Sequence, residues 1–385
     1  MAGGAGPRRV ALAAITGFAA LAITNGLDRA ATTNPDLARH VPALLASEAW
    51  RARAATALGA GQFAEARSAA AAAVAADPID PRSTALLGAA QLGAGEAVRA
   101  DRSFRVAARF GWRDPLTQLY FMNAAFQAGQ PRLAALRLDA VLRQAPKFAL
   151  RDQLLGQFEA SAPGRAALAE RLALRPAWTE EFLGEGNNLP LGALQSRAAI
   201  VAAVPGPRWG CDRVAPLVTR LVLRGGAGEA KALWQAHCPD AAAGIADPHF
   251  AAAVRTRDPV AFEWNLVGSG DISAMAARPG GSGLLARLSG PSAQPVAWQM
   301  LVLRPGRYRL SWSAVSADRA ADSAFVTLSC SRDQRQPLAA TSSDGKGRFV
   351  ADVSIDSACP GRFLVLWLNP GGDEVRFDNP VIETL

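Results

Sequence analysis

The chain has 385 residues, half of them apolar and 19% charged, a balance that excludes global disorder and a length that exceeds what one hydrophobic core usually organises. Its formal net charge of +8 comes from arginines scattered singly, as in Arg99, Arg102, Arg105 and Arg109, and not from a basic tail. Such charges read as solvated helix faces, and no nucleic-acid partner is expected.

Arg8 and Arg9 precede an uncharged run of 18 residues from Val10 to Leu27, which includes Phe18, Leu21 and Ile23. That length lies at the border between a long signal-peptide core and a short membrane-spanning helix. Ala20-Leu21-Ala22 has the small-residue form of a cleavage site, yet the apolar run continues past it, so residues 1–30 read first as an uncleaved signal anchor and second as a signal peptide. With the arginine pair held in the cytoplasm, everything after Asp28 is exported. The expected location is a bacterial inner membrane, crossed once, with the folded part in the periplasm; a cleaved leader would make the protein secreted. Residues 31–46, rich in Asn, Pro and Asp, read as a linker.

From residue 47 the sequence repeats with a period of 34: Gly61, Gly95 and Gly129 keep that spacing, as do Ala66, Ala100 and Ala134. The copies span 47–80, 81–114 and 115–148. In the first, a helix from about Ala49 to Ala60 turns at Gly61, and a second runs from Phe63 to Ala76 before Pro78 stops it. Small residues at Ala66 and Ala73 let the two helices approach, and Trp50 and Phe63 fill the remaining space. These positions resemble the tetratricopeptide repeat, which implies a helical solenoid that binds a protein partner. The second copy ends in Trp112-Arg113-Asp114 instead of Asp-Pro, which leaves its terminating turn open. Three copies are about the minimum for a continuous core. Further helices at Arg151–Phe158, Pro163–Leu174, Leu191–Val204, Val214–Leu223 and Gly228–His237 are expected to extend the array to residue 257, with an exposed break at Gly184–Pro190.

Near residue 260 the apolar period changes from 3.6 to 2. In Gly306–Ala314, Tyr308, Leu310, Trp312 and Ala314 share one face, and Arg307, Arg309, Ser311 and Ser313 the other. Similar runs occur at Phe262–Val267, Leu284–Leu288, Val296–Leu303, Ala324–Cys330, Arg348–Ile355, Arg362–Leu368 and Val375–Ile382. Short strands separated by Gly, Pro, Ser and Asp turns predict an antiparallel β-sandwich of jelly-roll type over residues 258–385. The stretches Leu303-Arg304-Pro305-Gly306-Arg307-Tyr308 and Val375-Arg376-Phe377-Asp378-Asn379-Pro380 resemble the jelly-roll carbohydrate-binding modules. That resemblance implies sugar binding, and would place Asp378-Asn379 close to a structural calcium position. One carboxylate and one amide do not make a calcium site.

Cys211, Cys238, Cys330 and Cys359 all follow the leader, and four cysteines allow three pairings. Pairs 211–238 and 330–359 are favoured because each lies within one predicted domain. With no Cys-x-x-Cys and only His40, His237 and His249, no metal is expected. His237 reads as a last-turn residue facing the helix dipole. Sugar binding needs exposed rings with polar neighbours. Tyr308, Trp312 and Trp367 read as core, whereas Trp264 and Trp298, flanked by Asn265 and Gln299, are the ligand candidates. The Gly-rich pieces Gly268-Ser269-Gly270 and Pro279–Gly283 lack the Lys-Ser/Thr ending of a phosphate cradle. Glu180, Glu181 and Glu263 form no recognisable acid pair, and no Gly-x-Ser-x-Gly elbow occurs. No catalytic residue and no cofactor are expected. The sequence reads as a non-enzymatic exported adaptor, with the array on a protein partner and the sandwich on a polysaccharide, in surface polysaccharide assembly or export. The rival readings are a scaffold without sugar affinity and a carbohydrate-active enzyme with an unrecognised cleft.

Overall fold

The structure, a computed structural model, describes residues 7–34, 37, 40–184, 189–238, 244–251, 258–268, 270–277, 282–317, 319–342, 347–371 and 373–385. The loop positions Asn187 and Asn188, and Ser269 and 279–281 of the Gly-rich pieces, lie outside the described residues. Helices occupy the first part of the chain and two antiparallel sheets the last.

Helix α1 (Pro7–Ala30) is long and apolar enough to cross a bilayer, and none of its apolar window from Val10 is buried. Val10, Leu12, Ile15, Phe18, Leu21 and Ile23 all face outward. The expected linker is a packed corner instead: Ala31, Val41 and Ala46 are buried with Ala49 of α2 (Ser47–Gly59), against Leu27 and Trp50. Ala31, Val41 and Ala46, spaced through the segment, pack with the flanking helices, which its Pro and Asn content had masked.

The three repeats form three helical hairpins: α2 with α3 (Phe63–Ala76), α4 (Pro81–Gly93) with α5 (Ala97–Ala108), and α6 (Pro115–Gln127) with α7 (Pro131–Gln144). Gly61, Gly95 and Gly129 turn each hairpin at φ of 71°, 80° and 68°, a left-handed conformation that disfavours a Cβ. Ala66, Ala100 and Ala134 are buried where the paired helices meet. The open terminator of the second copy is settled by its last residue. Asp114 caps α6 by accepting the Thr117 N–H at 2.6 Å with Pro115 in the first turn, as Asp80 caps α4 through the Arg82 N–H at 2.8 Å. Helix α8 (Arg151–Glu159) follows, and Phe158 meets Phe126 edge to face.

Residues up to 158, with 176–178, pack as one compact unit; residues 159–175 and 179–385 pack as a second. The last helix ends at His237 and the first strand starts at Asn265, but the packing division comes earlier, at Phe158. The reason lies inside the second unit, where α9 (Ala162–Leu172), α10 (Thr179–Gly184), α11 (Leu191–Ala202), α12 (Cys211–Leu223) and α13 (Ala227–His237) pack on one another and α13 meets the sandwich. Gly361 permits the closest approach: a Cβ there would stand 3.0 Å from the Cβ of Ala227 on α13 and 2.9 Å from Met300 Sδ. Arg197 of α11 is fully buried and answered by Glu159, Nε to Oε1 at 2.9 Å.

In the sandwich, one sheet orders its strands β1 (Asn265–Leu266), β4 (Gln294–Val302), β10 (Gly361–Leu368) and β7 (Ala324–Ser329). The other runs β2 (Ile272–Ala276), β3 (Leu284–Leu288), β11 (Val375–Thr384), β5 (Gly306–Ser316), β9 (Arg348–Ile355) and β8 (Thr341–Ser342), with β6 (Arg319–Ala320) on β5. Leu364, Leu366 and Leu368 of β10 face Leu310, Trp312 and Ala314 of β5 in the shared core. Alternation exposed nearly all of these strands in the sequence. Strand β2 escaped because Ile-Ser-Ala-Met-Ala carries small side chains and little apolar contrast, and β6 and β8 because two residues each show no alternation.

Candidate ligand face

The four residues singled out from sequence divide between the two sides of the smaller sheet. Register pairs Asn265 of β1 with Trp298 of β4, and Val365 of β10 with the same Trp298, so these three point away from the core. Trp264 and Gln299 point the other way. Trp264 is 4% exposed, packs on Phe250 at 4.7 Å and donates its indole N–H to the Asp247 carbonyl at 3.0 Å. Gln299 is fully buried and serves the backbone of Ala246, accepting its N–H at 2.9 Å and donating to its carbonyl at 3.2 Å. Both are structural, because a one-residue step along a strand reverses the face. Asn265 spends its amide N–H groups on the carbonyls of Val260 and Glu263, at 3.1 and 2.8 Å.

Trp298 therefore remains of the original set, and it has company that sequence reading missed. Phe363 of β10 meets it edge to face at 5.6 Å, and both rings are partly exposed. Four residues along β10 from Phe363, Trp367 stacks on Phe325 of β7 at 5.7 Å and donates to the hydroxyl of Thr327 at 3.1 Å. Trp367 is buried as expected, but on the outer side of the sheet. A strap from Ser331 to Pro337 crosses above: the Arg332 guanidinium stands 5.4 Å from the Trp298 ring and that of Arg335 5.6 Å from Trp367. Its root is fixed by the Cys330–Cys359 disulfide, as predicted.

The predicted Cys211–Cys238 bridge is not formed. Cys211, in the first turn of α12, is a free thiol that opens onto a groove with Arg175, Glu180, Trp209, Asp212 and Arg213, whereas Cys238 is buried behind the last turn of α13. His237 stands in the last turn of α13, as expected, with its ring turned inward. It is buried, accepts the Trp209 N–H on Nδ1 at 3.3 Å and places Nε2 2.9 Å from the Val201 carbonyl. Burial pushes its imidazole below the ordinary value, and Arg208 adds to that.

Asp378 is committed locally: His249 Nδ1 lies 2.9 Å from Oδ1, Ser282 donates to Oδ2 at 2.7 Å, and the Asn379 N–H reaches Oδ1 at 2.8 Å. Burial alone would raise this carboxyl, but those bonds hold it below the usual carboxylate value. The acids weighed for catalysis are spread apart, with Glu180 paired to Arg213 at 3.2 Å and Glu263 buried under the Val260 N–H at 3.1 Å. In the first unit, Leu92, Phe104, Leu116, Leu119, Tyr120 and Gln127 line a groove of about 460 Å³ between α4, α5 and α6. In the second, Lys231 lines a cleft of about 600 Å³ between α13 and the ends of β4, β5 and β11, and burial lowers its ammonium to about 8.

No family model matches the chain, and no curated protein matches it either. Among solved structures, one from the functional characterization of Pseudomonas aeruginosa PilF is similar over 50% of this chain and 88% of its own, at 14% identity and a TM-score of 0.26. The structure of TmCBM61 in complex with β-1,4-galactotriose is similar over 37% of this chain and 99% of its own, at 12% identity and a TM-score of 0.22. The architecture stands on the chain's own elements.

Proposed function

We propose that this protein is an exported, membrane-tethered adaptor without catalytic activity, whose helical hairpins hold a protein partner and whose sandwich docks on a polysaccharide during surface polysaccharide assembly or export. The observation that carries the sugar half is the partly exposed Trp298–Phe363 pair on the outer side of the smaller sheet. Aromatic faces there can stack on sugar rings, while the strap above supplies hydrogen-bond donors. The apolar groove beside Phe104 and Tyr120 supports the protein-binding half, since side chains of a partner can fill it. The outward apolar surface of α1 supports the tether, and the disulfide suits an oxidising compartment.

Retention of the full chain on a panel of immobilised polysaccharides tests the sugar half, with Trp298→Ala in parallel. Binding to at least one glycan that disappears in the variant is the expected result. Retention on none removes the sugar half and leaves a scaffold that binds protein alone. A phosphatase reporter that requires disulfides, fused after Leu385, tests the location: activity is expected, and activity of a cytoplasmic reporter alone overturns export.

A further inference from the structure

We infer that the ligand of this face is an acidic polysaccharide, one whose sugars carry carboxylates; the inference rests on reading Trp298 and Phe363 as a sugar platform. Two cations stand over two rings of the same sheet face, Arg332 at 5.4 Å from Trp298 and Arg335 at 5.6 Å from Trp367. A guanidinium over an aromatic ring keeps N–H donors available at its rim, which suits a carboxylate.

Three other arginines of the sandwich are occupied. Arg309 holds Asp352 through two bonds at 2.8 and 2.9 Å, Arg348 donates to Ser311 and to the Asn379 carbonyl, and Arg362 pairs with Asp356. The strap differs. Among the described residues Arg332 pairs with Asp333 alone, at 3.9 Å, and that carboxylate is 87% exposed. Among the described residues Arg335 makes no ion pair. An exposed pair at that distance is worth little. Like charges three residues apart repel, and an anion between them relieves that repulsion.

The strap is built to hold this arrangement. The Cys330–Cys359 bond fixes its root, the Ser329 hydroxyl donates to the Ser331 carbonyl at 2.7 Å, the Gln334 N–H donates to the same carbonyl at 3.3 Å, and the Leu338 N–H returns to the Val326 carbonyl at 2.9 Å. Trp298 and Trp367 lie on neighbouring strands, with Trp367 paired to Pro295 three residues from Trp298, so their backbone positions are on the order of 10 Å apart by strand geometry. A sugar seated on the partly exposed Trp298 and Phe363, and its neighbour in the polymer, can reach the two guanidiniums, while the Trp367 ring itself is buried. A neutral glycan would need the rings and some donors, but would gain nothing from two cations above them.

Polygalacturonate and its methyl ester share a sugar backbone and differ in charge, so retention of the full chain on each, at 150 mM salt, roughly the physiological screening condition, decides the matter. We expect methyl esterification to weaken retention about tenfold, Arg332→Gln with Arg335→Gln to abolish that difference, and Trp298→Ala to weaken both polymers. Equal retention on the two polymers, still lost in Trp298→Ala, overturns the acidic class and leaves the sugar-binding reading standing. Equal retention on poly-L-glutamate, or an equal loss in the remote variant Arg102→Gln, overturns it by showing general attraction to a basic protein. Retention of neither polymer overturns it too; a neutral glycan bound in the wider panel would then keep the sugar platform.

Discussion

Asp28 Oδ1 accepts the backbone N–H of Ala49 at 2.8 Å, so a carboxylate in the last turn of α1 caps the first turn of α2. Its other oxygen accepts the Glu48 N–H at 3.0 Å and the Ser47 hydroxyl at 3.4 Å. The local N-cap position, Ala46, has no side chain able to do this. A negative charge is unfavourable at the end of α1 and favourable at the start of α2. The two hydrogen-bonded N–H groups decide for the second, and α1 is thereby tied to the first repeat.

Asp28→Ala is expected to lower the stability of the full chain by about 1–2 kcal/mol, as lost caps do. Asp28→Asn, which keeps an acceptor oxygen, should recover part of that. Thermal unfolding in detergent, followed by helical circular dichroism, measures both; unchanged midpoints would show that α1 and α2 are not coupled.

Gly88 and Gly156 respond oppositely to the same substitution. A Cβ at Gly88 would stand 3.0–3.2 Å from the Phe104 ring, which is buried and stacked on Tyr120 at 4.2 Å and so has no room to yield. Overpacking costs about 1–3 kcal/mol against a helix-propensity gain of about 1 kcal/mol. Gly88→Ala should therefore destabilise the array, whereas Gly156→Ala, which meets nothing within 4 Å, should stabilise α8. Urea midpoints of the two variants give the signs.

Removing the Cys330–Cys359 bond with a double serine substitution opens a loop of 29 residues, worth about 3 kcal/mol in chain entropy. The sandwich should unfold at lower urea, and a reducing agent should do the same to the wild type. The double variant should be insensitive to the reductant.

His237 makes stability fall as pH falls. Its folded value is lowered by burial, so the fold favours neutral imidazole, while the unfolded chain protonates near the ordinary value of about 6.5. The contribution is complete above about pH 6.5 and is lost progressively below it. Melting temperatures between pH 7.5 and 5 should drop less steeply in His237→Gln than in the wild type.

Trp264→Ala and Trp298→Ala separate core from face. The first empties a buried site and should cost about 3–5 kcal/mol. The second removes a partly exposed ring and should leave the melting temperature nearly unchanged while reducing glycan retention.

Local periodicity determined much of this protein by itself. Glycines every 34 residues mark the hairpin turns because those positions demand positive φ, and alternating strands are legible because one side of each meets a core. An apolar run of membrane length is equally a property of the chain alone. Tertiary structure decided what depends on register and on distant partners. Strand β1 has only two residues, too few for alternation to tell Trp264 from Trp298, and pairing with β4 made the choice. The ring pair Trp298–Phe363 joins residues far apart in sequence. So does the Asp28 cap, whose acceptor and donors stand about twenty residues apart. Cys211 and Cys238 share a suitable sequence separation with the pair that did bond, but the α12–α13 hairpin turns one thiol to a groove and buries the other. Spacing along a chain limits which groups can meet, and only packing sets the direction in which each side chain points.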